Sequence, residues 1–168
     1  MGLWVDLDMK KDILICLFIA IIFNSKVFGK VYGNYFSPGL QIGLNSNWKP
    51  FYSAQITCGL YITDAPVFPG LTIGVKKIKR ENEWKKYRYY DVQVTYKSDL
   101  TIAGVPGLGF GFIQGEDLPP TLRFKLWAGW FVLGSYEFIN FKNDSKHHFG
   151  LFGVAPFDAV SFLLNPRL

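Results

Sequence analysis

Little in this sequence can cross-link a chain or hold a metal. Only two cysteines and two histidines occur among 168 residues. Cys16 sits inside an apolar run near the N-terminus, which leaves Cys58 alone in the remainder and excludes an intramolecular disulfide framework there. Charge is also sparse, 18% of residues against about 25% in ordinary globular chains. The acidic and basic tails that mark disordered interaction segments are therefore absent. After Lys30 no stretch keeps an apolar 3.6-residue period, so a helical bundle is excluded. There is no repeat of solenoid length, no low-complexity tract and no interdomain linker. What is plentiful is aromatic residues, 18% of the chain, and glycine, 17 residues. That balance favours strands, and the length favours one domain.

The N-terminal segment "MKKDILICLFIAIIFNSKVFG" has the three parts of a secretory signal peptide. Lys10 and Lys11 form the basic end, Ile13 to Phe23 the apolar run, and Val27-Phe28-Gly29 the cleavage region. The run spans about 16 Å as a helix, well short of the roughly 30 Å of hydrocarbon in a bilayer. The acidic "MGLWVDLD" before it makes Met9 an alternative start. Residues 1–29 are thus expected to be a cleavable leader and 30–168 a single domain. Ile15 before Cys16 argues against a lipoprotein. Removing the leader takes three basic and three acidic residues and leaves the net charge at +5. Much of the excess lies in "KKIKRENEWKKYR", Lys76 to Arg88, read as a solvated hairpin end, with contact to anionic lipid head groups as the other reading. Nucleic acid is not an expected partner of an exported chain.

Period-two alternation recurs along the mature chain. In "FYSAQITCGLYI" the residues Tyr52, Ala54, Ile56, Cys58, Leu60 and Ile62 share one face, and Ser53, Gln55, Thr57 and Gly59 the other. The same holds for Leu40/Ile42/Leu44, for Leu71/Ile73/Val75 against Thr72/Gly74, for Tyr90/Val92/Val94/Tyr96 against Asp91/Gln93/Thr95/Lys97, and for Leu108/Phe110/Phe112 against Gly109/Gly111. "TLRFKLWAGWFVLGSYEFINF" sets Leu122, Phe124, Leu126, Ala128 and Trp130 against Arg123 and Lys125. "HHFGLFGVAPF" closes the series. Turn-rich breaks separate the runs. They number seven, or eight if the long one divides near Gly134-Ser135.

A soluble barrel or sandwich turns its apolar set inward and needs charge outside, whereas a membrane barrel turns the apolar set to lipid and fills its lumen with small and polar groups. The opposite sets Gln41/Gly43/Asn45, Ser53/Gln55/Thr57/Gly59, Thr72/Gly74 and Gly109/Gly111 are small and neutral, which favours the second. Aromatics grouped near run ends fit interfacial belts: Tyr32, Tyr35, Phe36, Trp48, Phe51, Tyr52, Trp84, Tyr87, Tyr89, Tyr90, Trp127, Trp130, Tyr136 and Phe141. With the leader, the strands "FSPGLQIGLN", "PGLTIGVKK", "YYDVQVTYKSD", "GLGFGF" and "HHFGLFGVAPF" make the chain resemble small outer-membrane β-barrel proteins of Gram-negative bacteria. The resemblance implies an all-β, antiparallel up-and-down transmembrane barrel of about eight strands in the outer membrane, with outer-membrane lipid and envelope proteins as partners. Such chains often finish on an aromatic residue, whereas this one ends "SFLLNPRL", so the last strand is expected to stop near Phe157 or Phe162. A secreted or periplasmic barrel holding an apolar ligand is the alternative.

Chemistry is thinly marked. Ser145, His147 and His148, with Glu137 or Asp144, supply the residue types of a lipid-acting hydrolase. Adjacent histidines on a strand point to opposite faces and cannot readily share a metal, so no metal is expected. "GLGFGF" lacks the glycine order and following helix of a phosphate loop, and no cofactor is expected. A non-enzymatic structural, adhesive or envelope-accessory role is the leading expectation. The polar lumen is assigned to Gln55, Asp91, Lys97, Arg123, Lys125 and Glu137, whose charges must pair in a narrow interior.

Overall fold

The computed structural model describes residues 31–62, 66–80, 82–96, 105–116, 118–129, 132–142, 144–155 and 157–158. The leader, Lys97, Trp130 and Phe162 lie outside them. The described chain is all strand and turn: β1 (Val31–Asn45), β2 (Pro50–Ile62), β3 (Val67–Arg80), β4 (Glu83–Tyr96), β5 (Gly107–Gly115), β6 (Leu118–Gly129), β7 (Val132–Ile139), β8 (His147–Val154) and the two-residue β9 (Phe157–Asp158). Each strand pairs antiparallel with the next, and β1 pairs with both β2 and β8, so eight strands close into a barrel with no free edge. The short β9 continues the line of β8 along β1, opposite Tyr35 and Phe36.

Closure has a definite register. The row of Cα partners starting at Phe36 runs through Cys58, Leu71, Val92, Phe110, Phe124 and Phe138 to His147. His148 faces Asn45 on β1, so His147 returns the row to the level of Ser46, ten residues beyond its start. Eight strands with that shear tilt by about 40° and leave an interior wide enough for side chains and little else.

Alternation then settles the faces. Leu40 is 70% exposed and Ile42 65%, and Ile56, Ile73, Leu108, Phe110, Leu122, Leu126, Phe149 and Leu151 also point outward, with Val92 half-exposed. Gln41, Ser53, Gln55, Thr57, Thr72, Asp91, Arg123, Lys125 and Glu137 are buried inside. The middle of the sheet is therefore apolar outside and polar within. At the β1–β2 turn, Asn45 Oδ1 accepts from the backbone of Asn47 and Lys49, and Trp48 takes a left-handed φ of 59°.

Four sequence expectations need correction. The long run divides after Gly129 rather than at Gly134-Ser135, because the backbone at Gly129 adopts φ 144°, a conformation open to glycine. Ile62 is buried at the end of β2, next to an irregularity in the β1–β2 ladder. Tyr35, Phe51, Tyr87, Tyr89, Trp127 and Phe141 are buried inside, so they are not belt residues. Lys76, read within a solvated hairpin, is fully buried.

Two inward glycines on β5 test the packing. A Cβ at Gly111 would overlap the Tyr90 carbonyl oxygen and lie 2.7 Å from Asp91 Cα, whereas one at Gly109 would meet ordinary contacts of 3.5 Å or more. Gly111→Ala should lower stability by about 1–3 kcal/mol, and Gly109→Ala should leave the urea midpoint of the folded barrel nearly unchanged.

Candidate functional site

The barrel interior is layered along its axis. At the end formed by the β1–β2, β3–β4, β5–β6 and β7–β8 turns, Phe51, Ile78, Tyr87, Ile113, Leu118, Ile139 and Phe141 form an apolar cluster that also includes Tyr89. Arg80 closes it from the rim. Its Nε donates to Asp144 Oδ2 at 2.5 Å, its Nη1 to the Tyr87 hydroxyl at 2.9 Å, and its guanidinium lies 5.0 Å from the Phe141 ring centre.

Beneath this cap lies a charged layer. Lys76 Nζ donates to Glu137 Oε2 at 2.6 Å, and Arg123 Nε donates to the same oxygen at 3.1 Å. Arg123 Nη2 stands 3.1 Å from Glu137 Oε1, and Nη1 pairs with Asp91 on the other side. The guanidinium packs 4.0 Å from the Tyr89 ring centre and the Lys76 ammonium 3.7 Å from that of Phe51, so aromatic faces supply further negative potential. Lys125 Nζ completes the layer, 3.9 Å from the Phe152 ring centre and donating to Gln55 Oε1 at 3.2 Å and Gln41 Oε1 at 3.4 Å. All five charged side chains are buried. Their register explains the meeting: Lys125 faces Glu137, Gly111 faces both Asp91 and Arg123, and the absent side chain at Gly111 leaves room for the Arg123–Asp91 pair to form across β5.

Neutral groups form the third layer. Tyr89 OH donates to Gln55 Oε1 at 3.1 Å and bonds Ser53 Oγ at 2.8 Å, Gln41 Nε2 donates to Ser135 Oγ at 2.8 Å, and Thr57, Thr72 and Gln93 form a chain with two 2.7 Å bonds. Beyond them, towards the end where β1 starts and β8 finishes, lies a cavity of about 320 Å³. Its aromatic wall is Tyr35, Tyr61, Phe68, Trp127 and Phe152, and its polar groups are Ser37, Gln55, Thr57, Gln93 and Thr95.

Of the residues singled out from sequence, Gln55, Asp91, Arg123, Lys125 and Glu137 meet in this interior, and Lys97 is outside the described residues. Pattern reading missed Lys76, whose parity with Thr72 on β3 was the available signal. The hydrolase candidates do not converge. Ser145 Oγ accepts from the Ser46 amide at 3.0 Å, bonds Ser46 Oγ at 2.6 Å and donates to the His147 carbonyl, clasping two turns together. His147 lies on the outer wall with Nδ1 2.8 Å from the Tyr136 hydroxyl, whereas His148 points inward, edge-on to Phe51 and Phe141. Among the described residues no three His, Cys, Asp or Glu side chains converge as a metal site would require.

Removing one member of the charged layer leaves its partners buried and unpaired. Glu137→Ala should destabilise the barrel by about 3–5 kcal/mol. Lys76→Met combined with Glu137→Ala should cost less than the two single changes added together, a non-additivity that urea titrations of the four proteins measure. No protein-family model, no curated protein and no solved structure matches the chain.

Proposed function

We propose that the chain is an outer-membrane β-barrel protein that acts as a non-conducting, non-enzymatic structural or accessory element of the envelope. The observation that carries this reading is the inverted distribution of polarity: branched and aromatic side chains on the outer wall, five charged side chains sealed within. A soluble barrel would expose an apolar surface of this extent to water at a severe cost in solubility. On β1 alone the outward residues from Phe36 to Leu44 cover roughly 20 Å of the barrel axis at the tilt given above, close to the apolar band of about 25 Å typical of outer-membrane barrels. The apolar cap and the ion cluster occupy one end and the middle of the described interior, which supports a plug rather than a pore. Lipid is then the principal partner, with envelope proteins at the turns.

The alternative, a secreted or periplasmic barrel that binds an apolar ligand, draws support from the aromatic-walled cavity alone. It leaves the outer wall unexplained. Extraction separates the two. The membrane reading expects the protein in the alkaline-carbonate pellet, soluble only with detergent, and running at a shifted position on unheated gels. A fully soluble protein in buffer would refute it. Reconstituted in planar bilayers, the protein should give no stepwise conductance.

A further inference from the structure

We infer that the outer wall of β3 and β4 carries a binding site for the phosphate of an anionic membrane lipid, formed by Lys77, Lys86 and Arg88. This inference rests on the membrane reading above and assigns one lipid contact within it. On β4 the outward residues run Trp84, Lys86, Arg88, Tyr90, and on β3 Lys77 points outward beside the buried Lys76. Lys77 and Lys86 are direct cross-strand partners, and Arg88 lies opposite Val75, one outward step further along the same pair of strands. Like charges placed opposite each other across a ladder repel. Several other cations of the barrel have a carboxylate partner: Lys76 and Arg123 share Glu137, Arg80 has Asp144, and Lys85 has Glu83 at 3.3 Å. No carboxylate among the described residues comes within ion-pairing distance of Lys77, Lys86 or Arg88. Glu116, one residue beyond the Gly115 that faces Tyr87, forms no ion pair with Lys86. Three cations are thus held together with no counter-ion among the described residues.

Their level in the barrel identifies the source of the missing charge. Following the tilted register, Lys77, Lys86 and Arg88 stand at the height of Gln114, Asn140 and His147, where the outward residues of β1, β5, β7 and β8 change from apolar to polar. Below them Ile73, Tyr90 and Val92 continue the apolar band, and beside them Tyr52 packs on Trp84 with ring centres 5.1 Å apart and lies 5.7 Å from Lys77 Nζ. Aromatic rings at such a border sit at head-group depth. Cations there face lipid phosphates, and a lysine pair with one arginine offers both point charges and a planar fork to phosphate oxygens. Lipid-borne phosphate, anchored by its acyl chains against the apolar wall, fits both halves of this surface in a way that free phosphate does not.

The test uses the full chain reconstituted in phosphatidylcholine vesicles, with spin-labelled phosphatidylglycerol or phosphatidylcholine as the reporting lipid. The wild-type protein should select phosphatidylglycerol over phosphatidylcholine by about fivefold or more, the order expected of one fully engaged cation. Lys77→Gln/Lys86→Gln/Arg88→Gln should bring the ratio close to one, while Lys49→Gln/Lys142→Gln/Lys146→Gln, which removes equal charge elsewhere at the same end, should keep it. Shifted mobility on unheated gels establishes that each variant is folded. An unchanged ratio in the first variant, or an equal loss in the second, overturns the site. Failure of the wild-type protein to float with the vesicles overturns the membrane reading itself, so the two failures are told apart.

Discussion

Glu137 accepts hydrogen bonds from Lys76 on one side and Arg123 on the other, and Arg123 reaches past it to Asp91. These contacts join β3, β4, β6 and β7 across the lumen, so strands far apart in the ladder are tied through the centre of the barrel. In this eight-strand barrel the apolar cluster fills only one end, and the inward half of every strand must be satisfied within a narrow tube. Each inward charge that lacked a partner would carry a desolvation cost of several kcal/mol. The register therefore has to be the one that brings three cations, two carboxylates and two glutamines into contact. A shift of one residue on any strand would exchange the two faces and move the charges outside.

The same constraint explains the glycines and the aromatics. Where a large inward side chain occupies the tube, its neighbour is reduced to nothing: Gly74 lies under Tyr89, Gly59 under Tyr35, Gly107 under Trp127. Large and small residues alternate across neighbouring strands, so that bulky inward rings are accommodated in the narrow tube. The apolar cap at one end and the open cavity at the other give the barrel a polarity along its axis, although its strands are all built alike.

Much of this was legible in the sequence because the side-chain period of a strand is two and does not drift. "FYSAQITCGLYI" announces a strand whose second face is neutral and small, and that neutrality distinguishes a lumen from a water-facing wall. Arg123, Lys125 and Glu137 were legible for the same reason, since each is flanked by apolar residues. Lys76 was hidden by its company: in "KKIKRENEWKKYR" charge is so dense that the run reads as exposed, and only the parity of each position separates Lys76 inside from Lys77 outside. Its partner Glu137 is 61 residues away, and local pattern holds no information about that distance. The aromatic belt was over-assigned for a related reason. Tyrosine serves equally at a membrane border and over a buried guanidinium, so residue type alone cannot place Tyr87 and Tyr89, which share the face of Asp91.

Whether the outer wall meets hydrocarbon can be read at Cys58, a natural reporter exposed on β2 beside Phe36 and Leu71 in the register. A nitroxide attached to Cys58, with Cys16→Ser, can be examined by power saturation in reconstituted vesicles. Strong relaxation by dissolved oxygen with little effect of a water-soluble nickel chelate is the result predicted. Strong relaxation by the nickel chelate would place that wall in water and contradict the account.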